Sequence, residues 1–261
     1  MWPLAFGHKA RARAAIARAR AWPIDPPKHR YDVGIIANTF AVENPLAEIF
    51  PQVPPNGLIY NERLKYQVRT LPLHEGLPIG SSSSLFADGP RAYFDAPVQI
   101  PILMHYRTRG FTEWEIWMSL TPMEVWTQAS GIRAATGRVV LGGLGMGWLL
   151  RQIAKKPTVK EIVVVENDKD LLDWFGQTLC AATPKVSEVI CGDFWEHARK
   201  MDLKRDRFVA DIWPGLGEAD NSIDLARLRA TGAKVWAWGS ARPSNYQQSL
   251  IKQYRAKVTG A

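Results

Sequence analysis

From Gly137 onward, short apolar runs alternate with stretches whose apolar positions recur every three or four residues, the pattern of βαβ units around a parallel sheet. The run RVVLGG (138–143) reads as a buried strand, and WLLRQIAKK behind it puts Leu149, Leu150, Ile153 and Ala154 on one helical face before Pro157 ends it. EIVVVE (161–166) is a second strand, and DLLDWFGQTL (170–179) is a helix that turns Leu171, Leu172, Phe175 and Leu179 inward. VSEVIC, RFVADIW and AKVWAW supply three more strands. Helices after Asp193 and around Ile223 to Ala230 separate them, and Pro243 opens a last helix that uses Leu250, Ile251 and Tyr254. Five strands alternating with five helices predict an α/β fold with a Rossmann-like parallel sheet over residues 121–261.

Upstream the pattern is different. Between Tyr31 and Thr121, prolines at 51, 54 and 55, Leu-Pro pairs at 71 and 77, and Gly80 followed by Ser81 to Ser84 punctuate short segments. VGIIANTF, LKYQVRTL, AYFDAPVQIPILMHY and TEWEIWMSL carry β-branched and aromatic residues in partial alternation, which predicts a β-rich N-terminal domain over 31–120. Tyr106, Phe111, Trp114, Trp117 and Trp126 crowd its end, either as core or as the lining of an acceptor pocket. Thr121-Pro-Met-Glu124 matches a capping box with proline at the first helical position; Glu124 is therefore a capping residue as well as a catalytic candidate.

Charge adds a third segment. Residues 1–30 hold seven Lys and Arg against Asp25 alone, so this arm carries +6 of the chain's net charge of +8. HKARARAAIARARA within it favours a helix, but its arginines fall on opposite sides and leave no wide apolar stripe. The arm reads as a solvated terminal helix or as a contact for an acidic partner, a nucleic acid or an anionic membrane.

A content of 46% hydrophobic and 22% charged residues fits a globular protein. No apolar run reaches membrane-span length and the N-terminus lacks a signal-peptide core, so a cytoplasmic protein is expected. The two cysteines, Cys180 and Cys191, have no metal-ligand spacing, His197 and the other histidines stand in no ligand pattern, and no metal is expected.

The candidate chemistry lies at the ends of the predicted strands. Gly142-Gly-Leu-Gly-Met-Gly147 follows the first strand and sets glycines at 143, 145 and 147 around Leu144. This G-x-G-x-G spacing differs from the G-x-G-x-x-G of dinucleotide binders, and no G-K-[ST] follows to make a phosphate loop. The second strand ends in Glu166, followed by Asn167 and Asp168, where a carboxylate can accept the hydroxyls of a ribose.

In this order and spacing, residues 121–261 resemble the class I S-adenosylmethionine-dependent methyltransferases. The resemblance implies that Gly143, Leu144, Gly145 and Gly147 hold the methionine end of S-adenosylmethionine, and that Glu166 with Asn167 holds its ribose. It also implies that Asp193 meets the adenine amino group with Phe194 beside the ring. The fourth strand ends in Ala210-Asp211-Ile-Trp-Pro214, so Asp211 is the catalytic candidate, and Trp213 and Pro214 are expected to shape the acceptor pocket. The helix before the loop, with Glu124, is also similar to the spermidine synthase branch. That branch places an aspartate within the loop, where this chain has Leu144-Gly-Met146, and many methyltransferases carry an acid at the position of Leu141. The closing antiparallel strand pair of the family is missing from the pattern. An open fifth strand then calls for a cover such as a homodimer partner. Three functions follow: methyl transfer to an unidentified acceptor, a fold kept for binding without catalysis, or aminopropyl transfer to a polyamine.

Overall fold

A computed structural model describes residues 35–36, 42–71, 77–78, 91–94, 97–107, 113–213, 218–240 and 242–259. The basic arm at 1–30, Phe111, the side chain of Trp126, and Pro214 lie outside the described residues. The chain divides into two units, one from residues 1–44 and 52–129 and the other from 45–51 and 130–261.

In the first unit, β1 (Ile35–Ile36), β4 (Leu77–Pro78) and β5 (Arg91–Phe94) form a small sheet in the order β1-β5-β4. A second, antiparallel sheet runs in the order β2 (Leu58–Tyr60), β3 (Leu64–Leu71), β6 (Val98–Arg107), β7 (Glu113–Ser119). Alternation in β3 buries Leu64, Tyr66 and Val68 on one face. Asn61 closes the β2–β3 turn, its Oδ1 accepting from the N–H groups of Arg63 and Leu64 at 2.8 and 2.7 Å. The run at 92–106, which reads as one segment, is two strands in two different sheets. Pro97, which has no N–H to give to a ladder, stands just before β6. Tyr106, Trp114 and Trp117 are half-buried.

The second unit opens with α1 (Pro45–Ile49), and the unit division falls at residue 129 within α2 (Pro122–Ala134). Then follow β8 (Gly137–Gly142), α3 (Trp148–Ala154), β9 (Val159–Glu166), α4 (Lys169–Leu171), a π-helical stretch (Leu172–Gly176), α5 (Gln177–Ala181) and β10 (Val186–Cys191). After them come α6 (Phe194–Ala198), β11 (Arg207–Ala210), a 3-10 turn (Glu218–Asn221), α7 (Ile223–Ala230), β12 (Lys234–Ala237) and α8 (Asn245–Thr259).

The five strands form one fully parallel sheet in the order β10-β9-β8-β11-β12. Helices cover such a sheet on both faces, which is why β8 and β9 are continuous apolar runs with Val139, Val140, Leu141, Ile162, Val163 and Val164 at zero exposure. The helical faces expected from spacing are the buried ones: Leu149, Leu150, Ile153 and Ala154 in α3, and Leu171, Leu172, Phe175 and Leu179 along the next helix. A π-helical turn interrupts that second helix, a local widening that its apolar spacing does not announce.

At the amino ends of the strands the sheet is held by charge. Arg138 donates to Glu161 at 3.1 Å and to Asp206 at 2.8 Å, and Asp206 is 1% exposed. Nearby, Lys156 donates to the carbonyls of Ile132, Arg133 and Ala135, the open end of α2. Lys185 does the same for Ala154 and Lys156 at the end of α3. These cations tie the amino ends of the strands, and the glycine loop and the carboxylates singled out from the sequence stand at the opposite end.

Candidate cofactor and active site

The sheet order reverses between β8 and β11: the chain runs outward through β9 and β10, then crosses back to β11 and β12. Ligands of open parallel sheets sit in the crevice that such a reversal leaves at the carboxyl ends of the strands. The residues singled out from the sequence stand at that end.

Backbone hydrogen bonds continue the ladders past the strands and tie their loops together. The Gly143 N–H donates to Val165 O at 2.9 Å, the Gly192 N–H to Glu166 O at 2.9 Å, and the Asp211 N–H to Gly142 O at 2.8 Å. The glycine loop, Glu166, Gly192-Asp193 and Asp211 are thereby brought together at one edge.

The loop needs glycine for two reasons. Gly143, Gly145 and Gly147 have φ of 82°, 51° and 78°, in the region that L side chains avoid. Space is also lacking, because a Cβ on Gly143 would lie 2.0 Å from Asp211 O and one on Gly147 would lie 2.1 Å from Leu179 Cδ2. The Gly147 N–H donates to Leu144 O at 2.9 Å and closes the turn that starts α3.

Glu166 is 4% exposed, and its carboxylate is occupied by backbone: Oε2 accepts from the Leu144 N–H at 2.8 Å, and Oε1 from the Asp168 N–H at 2.9 Å. Burial pushes its pKa up, against the pull of these amides. It braces the glycine loop against the end of β9. Asn167 beside it is exposed, and Asp168 caps α4 by accepting from the Leu171 N–H at 2.9 Å.

Asp193 is exposed and caps α6, with Oδ1 accepting from the Glu196 N–H at 2.9 Å. Phe194 is a core residue at 4% exposure, its ring 5.0 Å from Trp195 and 6.5 Å from Phe208. It also fills the place where a Cβ on Gly142 would fall, 2.4 Å from Phe194 Cδ2. Gly142 therefore has a seat to provide, a role invisible in the G-x-G-x-G spacing. Gly192 does likewise for the His197 ring, whose Nε2 lies 2.8 Å from the place of a Cβ. The spacing of the histidines gives no sign of this contact, which needs Gly192 to lack a Cβ.

Asp211 is half-buried, and desolvation pushes its carboxyl up to about 7. A carboxyl with that value changes protonation near neutrality, the range in which general acid–base catalysis is most efficient. Trp213 is half-buried, its ring 5.9 Å from that of Trp195, and it packs on Ala219, Leu225 and Ala237. Cys180 is buried, which pushes its thiol up to about 12, while Cys191 is exposed.

Glu124 belongs to the first unit. Its Oε2 accepts from the Ser119 N–H at 2.8 Å and from Ser119 Oγ at 2.6 Å, while Thr121 Oγ1 accepts from the Glu124 N–H at 3.5 Å. The box at the start of α2 reaches two residues further back than the usual reciprocal pair. Among the described residues no group of three or more His, Cys, Asp or Glu side chains gathers as metal ligands. None of the described helices is long and apolar enough to cross a membrane.

No protein-family model matches the chain, and no curated protein matches it. Solved structures do. A spermidine synthase in complex with the transition state analogue AdoDATO is 14% identical at a TM-score of 0.36, over 72% of this chain and 64% of that one. The spermidine synthase of Thermotoga maritima is 14% identical at 0.35, with the same coverage of both chains. Wild-type Trm5b of Pyrococcus abyssi is 14% identical at 0.35, over 65% of this chain and 55% of that one. The chain thus spans less than two thirds of the length of each. These likenesses concern fold and leave activity open; the Rossmann-like α/β assignment stands on this chain's own parallel order, β10-β9-β8-β11-β12.

Proposed function

We propose that the second unit is an S-adenosylmethionine-dependent methyltransferase whose cofactor and acceptor meet at the carboxyl ends of β8 and β11. The observation that carries this reading is the junction of the glycine turn with Asp211. The Asp211 N–H is bonded to Gly142 O, and its carbonyl packs where Gly143 has no side chain. A residue with a titratable side chain is thereby tied by its backbone to the glycine turn, at the reversal of strand order where ligands of such sheets bind, which supports this reading.

The residues fit such a cofactor in part. Gly143, Gly145 and Gly147 would take its amino-acid end, and the exposed Asn167 and Asp193 offer polar side chains for its nucleoside. Glu166 acts from behind by fixing the Leu144 amide, and any bond to a ribose would add to the two it already makes. When bound, the sulfonium supplies an activated methyl group, so the protein has mainly to align the acceptor and relieve it of a proton. Asp211 is the group for that: near pH 7 it is partly ionised and can accept a proton from, or orient, a nucleophile. Trp213 contributes a wall held in place by Trp195.

A second reading, a binding protein without catalysis, is favoured by the engagement of Glu166 with loop amides and of Phe194 with the core. Calorimetry separates the two, using the purified chain with S-adenosylmethionine and with its decarboxylated form. Binding of the former that Asp211→Asn spares, together with methyl transfer that Asp211→Asn abolishes, is the expected result. Binding without transfer to any acceptor class supports the second reading. Preference for the decarboxylated form turns the assignment to aminopropyl transfer, and no binding of either compound sinks the cofactor site.

A further inference from the structure

The antiparallel sheet of the first unit has a face that the proposed methyl transfer does not use. Strand register settles which residues share it: Tyr60 pairs with Lys65, Lys65 with Met104, Met104 with Ile116, and Tyr106 with Trp114. The half of this face near Ile100 and Ile102 is buried. The other half, around Met104, is open, with Tyr60 and Ile116 exposed at 65% and 56%, and Leu58 on the edge strand β2, level with Ile102, is exposed at 48%.

We propose that this open half binds single-stranded nucleic acid. Three rings form a connected platform: Tyr60 lies 6.4 Å and Tyr106 5.3 Å from Trp114, both edge to face. Tyr60 remains 65% exposed in this packing while the half-buried Trp114 and Tyr106 back it, and an exposed ring held by its neighbours is what an unstacked base lies on. The charge on the face has one sign. Lys65, its Nζ 4.8 Å above the Trp114 ring, lies among the rings, and the exposed Arg69 stands further along the same face, opposite Ile100. None of the described strand positions on it is Asp or Glu; Glu115 falls on the other face, opposite His105. Cations interleaved with aromatic rings fit a ligand that alternates phosphates with flat bases. A two-fold contact of this face with a second copy would bring cations together with no Asp or Glu among its described strand positions to offset them, which disfavours the same face as a dimer surface.

The test uses the full-length chain and a fluorescein-labelled deoxythymidine 12-mer, followed by anisotropy at low and at moderate salt. Saturable binding that weakens with salt is expected. Tyr60→Ala should weaken it about tenfold and Tyr60→Phe should restore it, since the ring and not the hydroxyl stacks. Lys65→Glu with Arg69→Glu should flatten the salt dependence, and a 12-base-pair duplex should bind less tightly than the single strand. Circular dichroism of each variant checks that these exposed substitutions leave the fold intact. No saturable binding overturns the proposal. So does binding that Tyr60→Ala leaves unchanged, which would assign it to the basic residues at 1–30. A dimer seen by light scattering that Tyr60→Ala dissolves would give the face to a second copy and overturn it as well.

Discussion

The carbonyl oxygen of Asp211 occupies the space of a side chain that Gly143 does not have: a Cβ there would come within 2.0 Å of it. The first loop glycine and the candidate catalytic residue are therefore one packing unit, joined again by the Asp211 N–H to Gly142 O.

Gly143→Ala should cost about 3 kcal/mol or more, since a positive φ and a clash with backbone act together. Gly137→Ala is the control. It has φ 66° but nothing within 4 Å of a Cβ, so only the backbone cost of about 1–2 kcal/mol applies. Urea unfolding of both variants measures the difference, and equal losses would remove the packing argument.

Asp211 predicts a pH dependence. Its folded pKa is raised from 3.8 to about 7, so between these values the folded chain keeps a proton that the unfolded chain releases. Its contribution to stability is thus most favourable at low pH, falls as pH rises toward 7, and is constant above. Asp211→Asn has no such slope. Relative to wild type, the variant should gain about 2 kcal/mol between pH 5 and pH 8 in parallel unfolding curves. A pH-independent difference would mean the carboxyl titrates normally. Turnover, for the same reason, should rise with pH through about 7.

Glu166→Gln replaces one accepting oxygen by an N–H donor that must face a backbone N–H, either at Leu144 or at Asp168. The expected cost is about 1–3 kcal/mol together with faster amide exchange at Leu144 and Asp168. Unchanged exchange at both amides would show that Glu166 does not hold the loop.

Asp193 has two candidate roles that one pair of variants separates. Asp193→Ala removes the cap of α6 and should cost about 1 kcal/mol, whereas Asp193→Ser keeps a cap oxygen and the stability. If Asp193 also meets the cofactor, both variants weaken S-adenosylmethionine binding in calorimetry. Normal binding by Asp193→Ser would leave it a capping residue alone.

Local sequence determined the alternation of strands and helices in residues 137–259, because burial on both faces writes continuous apolar runs into β8 and β9 and three-four spacing into α3. It also determined the glycine positions, since φ near 80° at Gly143 and Gly147 excludes most other residues. The tertiary structure alone decided what the residues between these landmarks do. Glu166 turned toward amides of the loop, Phe194 into the seat that Gly142 leaves, and Asp211 acquired a raised pKa from its surroundings. The run at 92–106 became strands of two sheets, and its ring-bearing neighbours formed a platform through cross-strand register. The reason is one of range. Propensity and periodicity act over a few residues and leave a trace in the chain, while hydrogen-bond partners, desolvation and the meeting of faces depend on residues tens of positions apart.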